Sequence, residues 1–307
     1  MRIVFFGTPD FAVASLRALV NGRFNIAGVV TQPDKPQGRS RSELIPPPVK
    51  VAAEAEGIPV LQPIRPMGDV FTTSLRRLEP DLGIVVAYGH ILRPEILAIP
   101  PRGMINVHAS LLPRYRGAAP IQHAILKGET ETGISIMKME AGLDSGPVLH
   151  RVATPIDPDE TAGELAGRLA ELGATALVEA LSLISGGLGR AQPQDDARAT
   201  YAPKVDREMA RLVWQRDATT LVRQVRAFDP TPGAWTTLNG CVLKLFGARE
   251  VPGTGEPGSV LAAGDRLVIA AARGAVALSE VQPAGKTRLP VEAWVRGRGV
   301  STGQRLE

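Results

Sequence analysis

Asn106 and His108 stand two residues apart in the stretch GMINVHASLLPRYRGAAPIQ (103–122). GMINVH reads as a buried strand. Residues two apart in a strand project from one face, so the amide and the imidazole point together while Val107 points away. Such a pair suits attack on a carbonyl. The amide donates to a developing oxyanion, and the imidazole either donates as well or moves a proton near neutral pH. No serine or cysteine is armed as a nucleophile, since Ser110 lacks a G-x-S-x-G turn. Direct transfer or hydrolysis is therefore favoured over a covalent acyl-enzyme. A carboxylate, Asp144, follows in MEAGLDSGPVL (139–149), between Gly142 and Gly146, which permit sharp backbone geometry. Asp144 either closes a turn between strands or orients the imidazole, and spacing alone leaves both readings open. The four histidines, at 90, 108, 123 and 150, show no metal-ligand spacing, so no metal is expected.

These groups need a frame, and the front of the chain supplies one. RIVFFG (2–7), NIAGVVT (25–31), IPVLQ (58–62), LGIVVAYG (82–89) and GMINVH (103–108) read as strands. FAVASLRALV (11–20), PPVKVAAEAEG (47–57) and GDVFTTSLRRLE (68–79) read as helices between them, with Thr8 placed to cap the first. This alternation predicts an α/β domain with a Rossmann-like, mostly parallel sheet. Ligands of such sheets bind beyond the carboxyl ends of the strands, where strand order reverses. The ends of interest are residues 7–10, 31–41, 88–90 and 106–116. GTPDFA after the first strand lacks both the G-x-G-x-x-G pattern and a P-loop lysine, which disfavours a dinucleotide or nucleoside triphosphate. The long loop TQPDKPQGRSRSELIPPP (31–48) carries Lys35, Arg39 and Arg41, which either meet phosphates or are simply solvated.

The back of the chain differs. A long amphipathic stretch (161–184) precedes the Gly-containing, aperiodic SGGLGRAQPQDDARAT (185–200). After it come a helix (217–228) and short strand-like runs at 241–251, 259–264 and 266–282. We expect a catalytic domain over 1–188, a linker over 189–206 and a smaller OB-like β-barrel domain over 207–307. Net charge is +4, but residues 1–199 hold 20 Lys/Arg against 21 Asp/Glu, and residues 200–307 hold 15 against 10. A basic back half fits a polyanion partner or a solvated surface. The single cysteine, Cys241, fits a reducing cytoplasmic setting. Residues 1–22 do not read as a secretory signal, no run suggests a membrane span, and a monomer is the default.

Taken together, FFGTPDFA, TQPDKPQGR, VVAYGHIL, NVHASLLPRYRGAAPIQ, GISIMKMEAGLDSGPVL, TYAPKVDREMARLVW, VRAFDPTPGAW and VQPAGK resemble the methionyl-tRNA formyltransferases. These form one branch of the 10-formyltetrahydrofolate-dependent transferases. The resemblance spans essentially the whole chain. It implies that Asn106, His108 and Asp144 are the catalytic group. Ser110, Leu111, Leu112 and Pro113 would border the folate co-substrate, and Val86, Ala87, Tyr88, Gly89 and Ile91 would line its pterin pocket. The loop with Lys35, Arg39 and Arg41 would meet the acceptor end of initiator methionyl-tRNA, and Arg114 and Arg116 would bring positive charge near it. Tyr115 stands where many relatives have tryptophan. The rival readings are another formyltransferase of this family, a hydrolase of formyltetrahydrofolate, and a non-catalytic RNA-binding protein.

Overall fold

The front half folds as its alternation of apolar runs and amphipathic stretches demands. A computed structural model of the chain describes residues 1–37 and 43–307. In chain order the front elements are β1 (Arg2–Gly7), α1 (Asp10–Asn21), β2 (Asn25–Val30), β3 (Lys35–Gln37), β4 (Glu43–Ile45), α2 (Pro48–Ala55), β5 (Val60–Leu61), α3 (Asp69–Arg77), β6 (Leu82–Val86), α4 (Pro94–Leu97), β7 (Met104–His108), α5 (Pro120–Lys127), β8 (Glu131–Lys138), β9 (Val148–Pro155) and α6 (Ala162–Ser185).

Seven strands form one sheet in the order β5-β2-β1-β6-β7-β8-β9. Pairing is parallel from β5 through β7, and β8 runs antiparallel to β7. β6 is buried along its whole length, as expected for a strand covered on both faces. The strand order reverses at β1 and β6. The apolar core beside this point is built from Val4, Phe6, Val30, Phe71, Leu75, Val85, Tyr88 and Met104, among others. Gly7 ends β1 because no side chain fits there: a Cβ would lie 2.8 Å from that of Ala12.

Two expectations about local structure need correction. Thr8 does not cap α1; the N-cap position is taken by Pro9, with no side-chain bond. The Thr8 hydroxyl donates instead to the Tyr88 carbonyl at 3.0 Å, tying the end of β1 to the turn after β6. The basic loop is not wholly irregular either, because β3 and β4 form a short antiparallel ladder.

The chain divides into two compact units. The first gathers Met1–Gly117, Thr132–Thr154 and Ala166–Tyr201; the second gathers Ala118–Glu131, Pro155–Leu165 and Ala202–Glu307. α5 belongs to the second unit because it packs on α7 (Ala218–Ala227). The rest of that unit is a small antiparallel β domain. One sheet comprises β10 (Trp235–Leu238), β11 (Cys241–Phe246), β16 (Glu280–Pro283) and β17 (Leu289–Pro290). The other comprises β12 (Arg249–Val251), β15 (Ala275–Leu278), β14 (Leu267–Ala270) and β13 (Val260–Ala263). The chain crosses between the sheets at Gly247, where φ is +62°, and again at Ser279. A short helix, α8 (Val291–Arg296), follows.

Candidate active site

β7 delivers the amide and the imidazole. Asn106 pairs with Val85 of β6 on one side and Met137 of β8 on the other. Its side chain is half-buried and makes no hydrogen bond to another described residue. His108, two residues on, is only 5% exposed. Its Nε2 donates to the Tyr115 carbonyl at 2.9 Å, and its Nδ1 lies 3.7 Å from Asp144 Oδ2. The structure thus brings Asp144 beside His108, a placement that spacing alone left open.

Asp144 is held by its loop. Its Oδ2 accepts a hydrogen bond from the Gly117 N–H at 2.8 Å. Its backbone is left-handed, with φ at +47°, which aspartate tolerates better than most side chains. Gly146 lets the loop fold back on β8, since a Cβ there would lie 1.9 Å from the Lys138 carbonyl.

The tripeptide Tyr115–Gly117 therefore holds both members of the pair through its backbone. Its φ angles at Tyr115 and Gly117 are +60° and +117°, turning a carbonyl toward His108 and an N–H toward Asp144. Arg116, between them, is 4% exposed. Its guanidinium bonds Gln194 Oε1 at 3.1 and 2.9 Å and Asp196 Oδ1 at 2.7 Å. The Arg116 charge is thus paired within the fold. Neither Gly117 nor Gln194 was expected at the site. A backbone N–H carries no residue signature, and Gln194 sits in an aperiodic stretch with no motif around it.

The turn after β7 is braced from within. The Ser110 hydroxyl is fully buried and donates to the Arg114 carbonyl at 2.6 Å. Ser135 Oγ donates to the Ser110 carbonyl and accepts from Leu112 N–H, at 2.7 and 3.1 Å. Leu112 is buried against Met137 and Val148, while Leu111 and Pro113 are half-buried.

The turn after β6 presents another surface. Val86 and Tyr88 point inward, whereas Ala87, Gly89 and Ile91 are exposed. The backbone is left-handed at Ala87 and Gly89, with φ at +46° and +83°. The Tyr88 hydroxyl is buried without a partner among the described residues, and burial pushes its pKa up to about 12. The Tyr88 carbonyl accepts from Gln32 Nε2 at 2.9 Å, and Gln32 Oε1 accepts from Lys35 Nζ at 2.7 Å. Arg39 and Arg41 lie outside the described residues. At the base of that loop the Lys50 ammonium and the Gln62 amide hold the Asp34 carboxyl below its usual range. Among the described residues no three His, Cys, Asp or Glu side chains gather as metal ligands, and no helix is long and apolar enough to cross a membrane.

Two family models match the chain: formyl transferase over residues 1–181, and formyl transferase C-terminal domain over residues 204–299. The chain belongs to the formyl transferase family. This formyl transferase is 46% identical over 307 residues to the methionyl-tRNA formyltransferase of Geotalea daltonii, covering 100% of this chain and 98% of the relative. It is 47% identical over 305 residues to the methionyl-tRNA formyltransferase of Pelobacter propionicus, covering 99% and 95%. Its fold is also similar to that of HypX from Aquifex aeolicus, solved in complex with tetrahydrofolic acid. There the TM-score is 0.68 at 23% identity, over 97% of this formyl transferase and 47% of HypX.

Proposed function

We propose that this formyl transferase moves the formyl group of 10-formyltetrahydrofolate to the α-amino group of methionine on initiator methionyl-tRNA. The observation that carries this reading is the end-to-end similarity to methionyl-tRNA formyltransferases, in a chain where one strand carries Asn106 and His108 and His108 lies beside Asp144. The basic excess of residues 200–307 favours a polyanionic acceptor over a small amine. In functional terms the chain divides into a catalytic part (1–188), a connecting segment (189–206) and a tRNA-binding part (207–307). It works in the cytoplasm.

An α-amine has a reference pKa of about 7.7–8.0, so a useful fraction is neutral at cellular pH and no strong base is needed. Its nitrogen forms a bond to the formyl carbon, and the carbonyl becomes a tetrahedral oxyanion. The Asn106 amide, which bonds no other described residue, can donate to that oxygen. The C–N10 bond of the folate then breaks, and the proton lost by the amine ends on N10. Since His108 Nε2–H is committed to Tyr115, the nitrogen that exchanges protons is Nδ1, beside Asp144. Ala87, Gly89 and Ile91 form the open wall for the pterin. The loop with Lys35, Arg39 and Arg41 approaches the acceptor end of the tRNA.

The test is to incubate the protein with labelled 10-formyltetrahydrofolate and, separately, charged initiator tRNA, charged elongator tRNA, glycinamide ribonucleotide or no acceptor. Label on the initiator alone supports the reading. Label on the ribonucleotide makes the protein a different formyltransferase, and free formate without acceptor makes it a hydrolase. No turnover with any acceptor leaves an RNA-binding protein.

A further inference from the structure

The segment before the second unit does more than connect. It is fixed to the first unit at three places. Gln192 exchanges two backbone hydrogen bonds with Val148 at the start of β9, each 2.8 Å. Thr200 takes the Tyr115 N–H on its hydroxyl and the Arg116 N–H on its carbonyl, both at 2.8 Å. Between these anchors stands Gln194, whose amide is fully used. Nε2 donates to the carbonyls of Asp144 and Gly146, at 2.8 and 2.7 Å. Oε1 accepts both bonds from the Arg116 guanidinium.

We infer that Gln194 is a positioning residue for formyl transfer: its side-chain amide locks the Asp144 loop to Arg116 and so sets the spacing between Asp144 and His108. One arm grips the carbonyl of Asp144 itself, a residue whose left-handed backbone needs an external hold. The other arm grips the residue flanked by the acceptor of His108 and the donor to Asp144. Both ends of the His–Asp pair thus meet in one amide. With Gln194 bonding gone, the link between the Asp144 loop and the Tyr115–Gly117 turn is left to the Gly117 N–H on Asp144, and the spacing between them loosens. Misplacing a reacting group by about 1 Å costs up to about 10²-fold in rate.

The inference rests on the roles proposed above for Asp144 and His108, and the experiment separates the two. In Gln194→Glu the Arg116 arm is kept but the carbonyl arm is lost, because a carboxylate donates nothing to the Asp144 and Gly146 carbonyls. Gln194→Met keeps the length and loses both arms, and serves if the glutamate variant folds poorly. Each is compared with Asp144→Ala and with the double variant, using 10-formyltetrahydrofolate and methionyl-tRNA. Expected is a fall in kcat of about 10–100-fold, with KM for the folate within about 2-fold. The Gln194 substitution should add nothing in the Asp144→Ala background. Unchanged kcat, a change confined to KM, or an equal loss in the Asp144→Ala background overturns the inference. Parental kcat in Asp144→Ala alone instead overturns the role given to Asp144.

Discussion

The Tyr115 carbonyl lies 2.9 Å from His108 Nε2, and this contact decides which ring nitrogen is free. A carbonyl oxygen only accepts, so Nε2 carries the hydrogen. Nδ1 is left facing Asp144 Oδ2 at 3.7 Å. The ring is held by backbone, not by a neighbouring side chain, so it is oriented before any substrate arrives.

His108→Ala should therefore damage chemistry more than binding. Losing one donor or proton carrier of this kind costs roughly 10²–10³ in rate. Single-turnover formyl transfer is expected to fall by that factor, while the Kd for methionyl-tRNA stays within about 2-fold. Near-parental turnover would remove His108 from the reaction.

Asp144→Asn separates charge from shape. The asparagine Oδ1 can still take the Gly117 N–H now held by Asp144 at 2.8 Å, so the loop keeps its anchor. The variant loses only the carboxylate beside Nδ1. A kcat loss of about 10² or more is expected with a melting temperature close to that of the parent. A large drop in melting temperature with normal kcat would make Asp144 a turn residue, the other reading that spacing left open.

Much of this site was legible because its frame obeys short-range rules. β7 alternates its faces, so Asn106 and His108 had to share one, and the βα alternation placed its end among the ligand-facing loops. The supports were not legible. The Tyr115 carbonyl and the Gly117 N–H are backbone groups that any residue would carry. Gln194 acts on a loop 50 residues away in sequence, and only folding brings them together. Arg116 was no more legible: its charge is buried in the fold and taken up by a half-buried amide and an exposed carboxylate, 78 and 80 residues away in sequence.

Tyr88 tests what burial does away from the chemistry. Its hydroxyl is buried without a partner among the described residues, so at neutral pH Tyr88→Phe should be neutral or stabilising by up to about 1 kcal/mol. Burial also raises its pKa from 10.0 to about 12. The raised value means that Tyr88 leaves the stability of the fold unchanged below about pH 10 and takes from it as pH rises toward 12. Urea unfolding at stepwise alkaline pH should fall more steeply for the parent than for Tyr88→Phe. Parallel curves would show that Tyr88 does not titrate in the folded chain.

Asp217 makes the opposite case in the second unit. It caps α7 through the Thr220 N–H at 3.2 Å and pairs with Arg273 at 2.9 Å. The Thr220 side chain, the Arg273 guanidinium and the Thr220 backbone N–H hold its carboxyl down to about 2. A depressed value contributes stability above about pH 4 that disappears as pH falls through 2. Asp217→Asn keeps a good capping group but not the titration. Its acid unfolding curve should therefore be flatter than the parent's over that interval, and identical curves would remove Asp217 from the acid response.

The polyanion reading is tested most directly by salt. In the second unit the exposed Arg207 and Arg211 guanidinium groups lie over the Trp235 ring, 5.2 and 5.6 Å from its centroid. The stack presents two charges on one rigid platform. If they meet tRNA phosphates, each releases condensed counterions on binding. The slope of log K against log salt should then shrink by about 1 for each arginine replaced by glutamine. Equilibrium binding of methionyl-tRNA across a salt series measures this with Arg207→Gln, Arg211→Gln and the pair. Formyl transfer at saturating tRNA should be preserved, because neither side chain belongs to the proposed chemistry. An unchanged slope in the double variant would mean that the phosphates lie on another face of the basic back half.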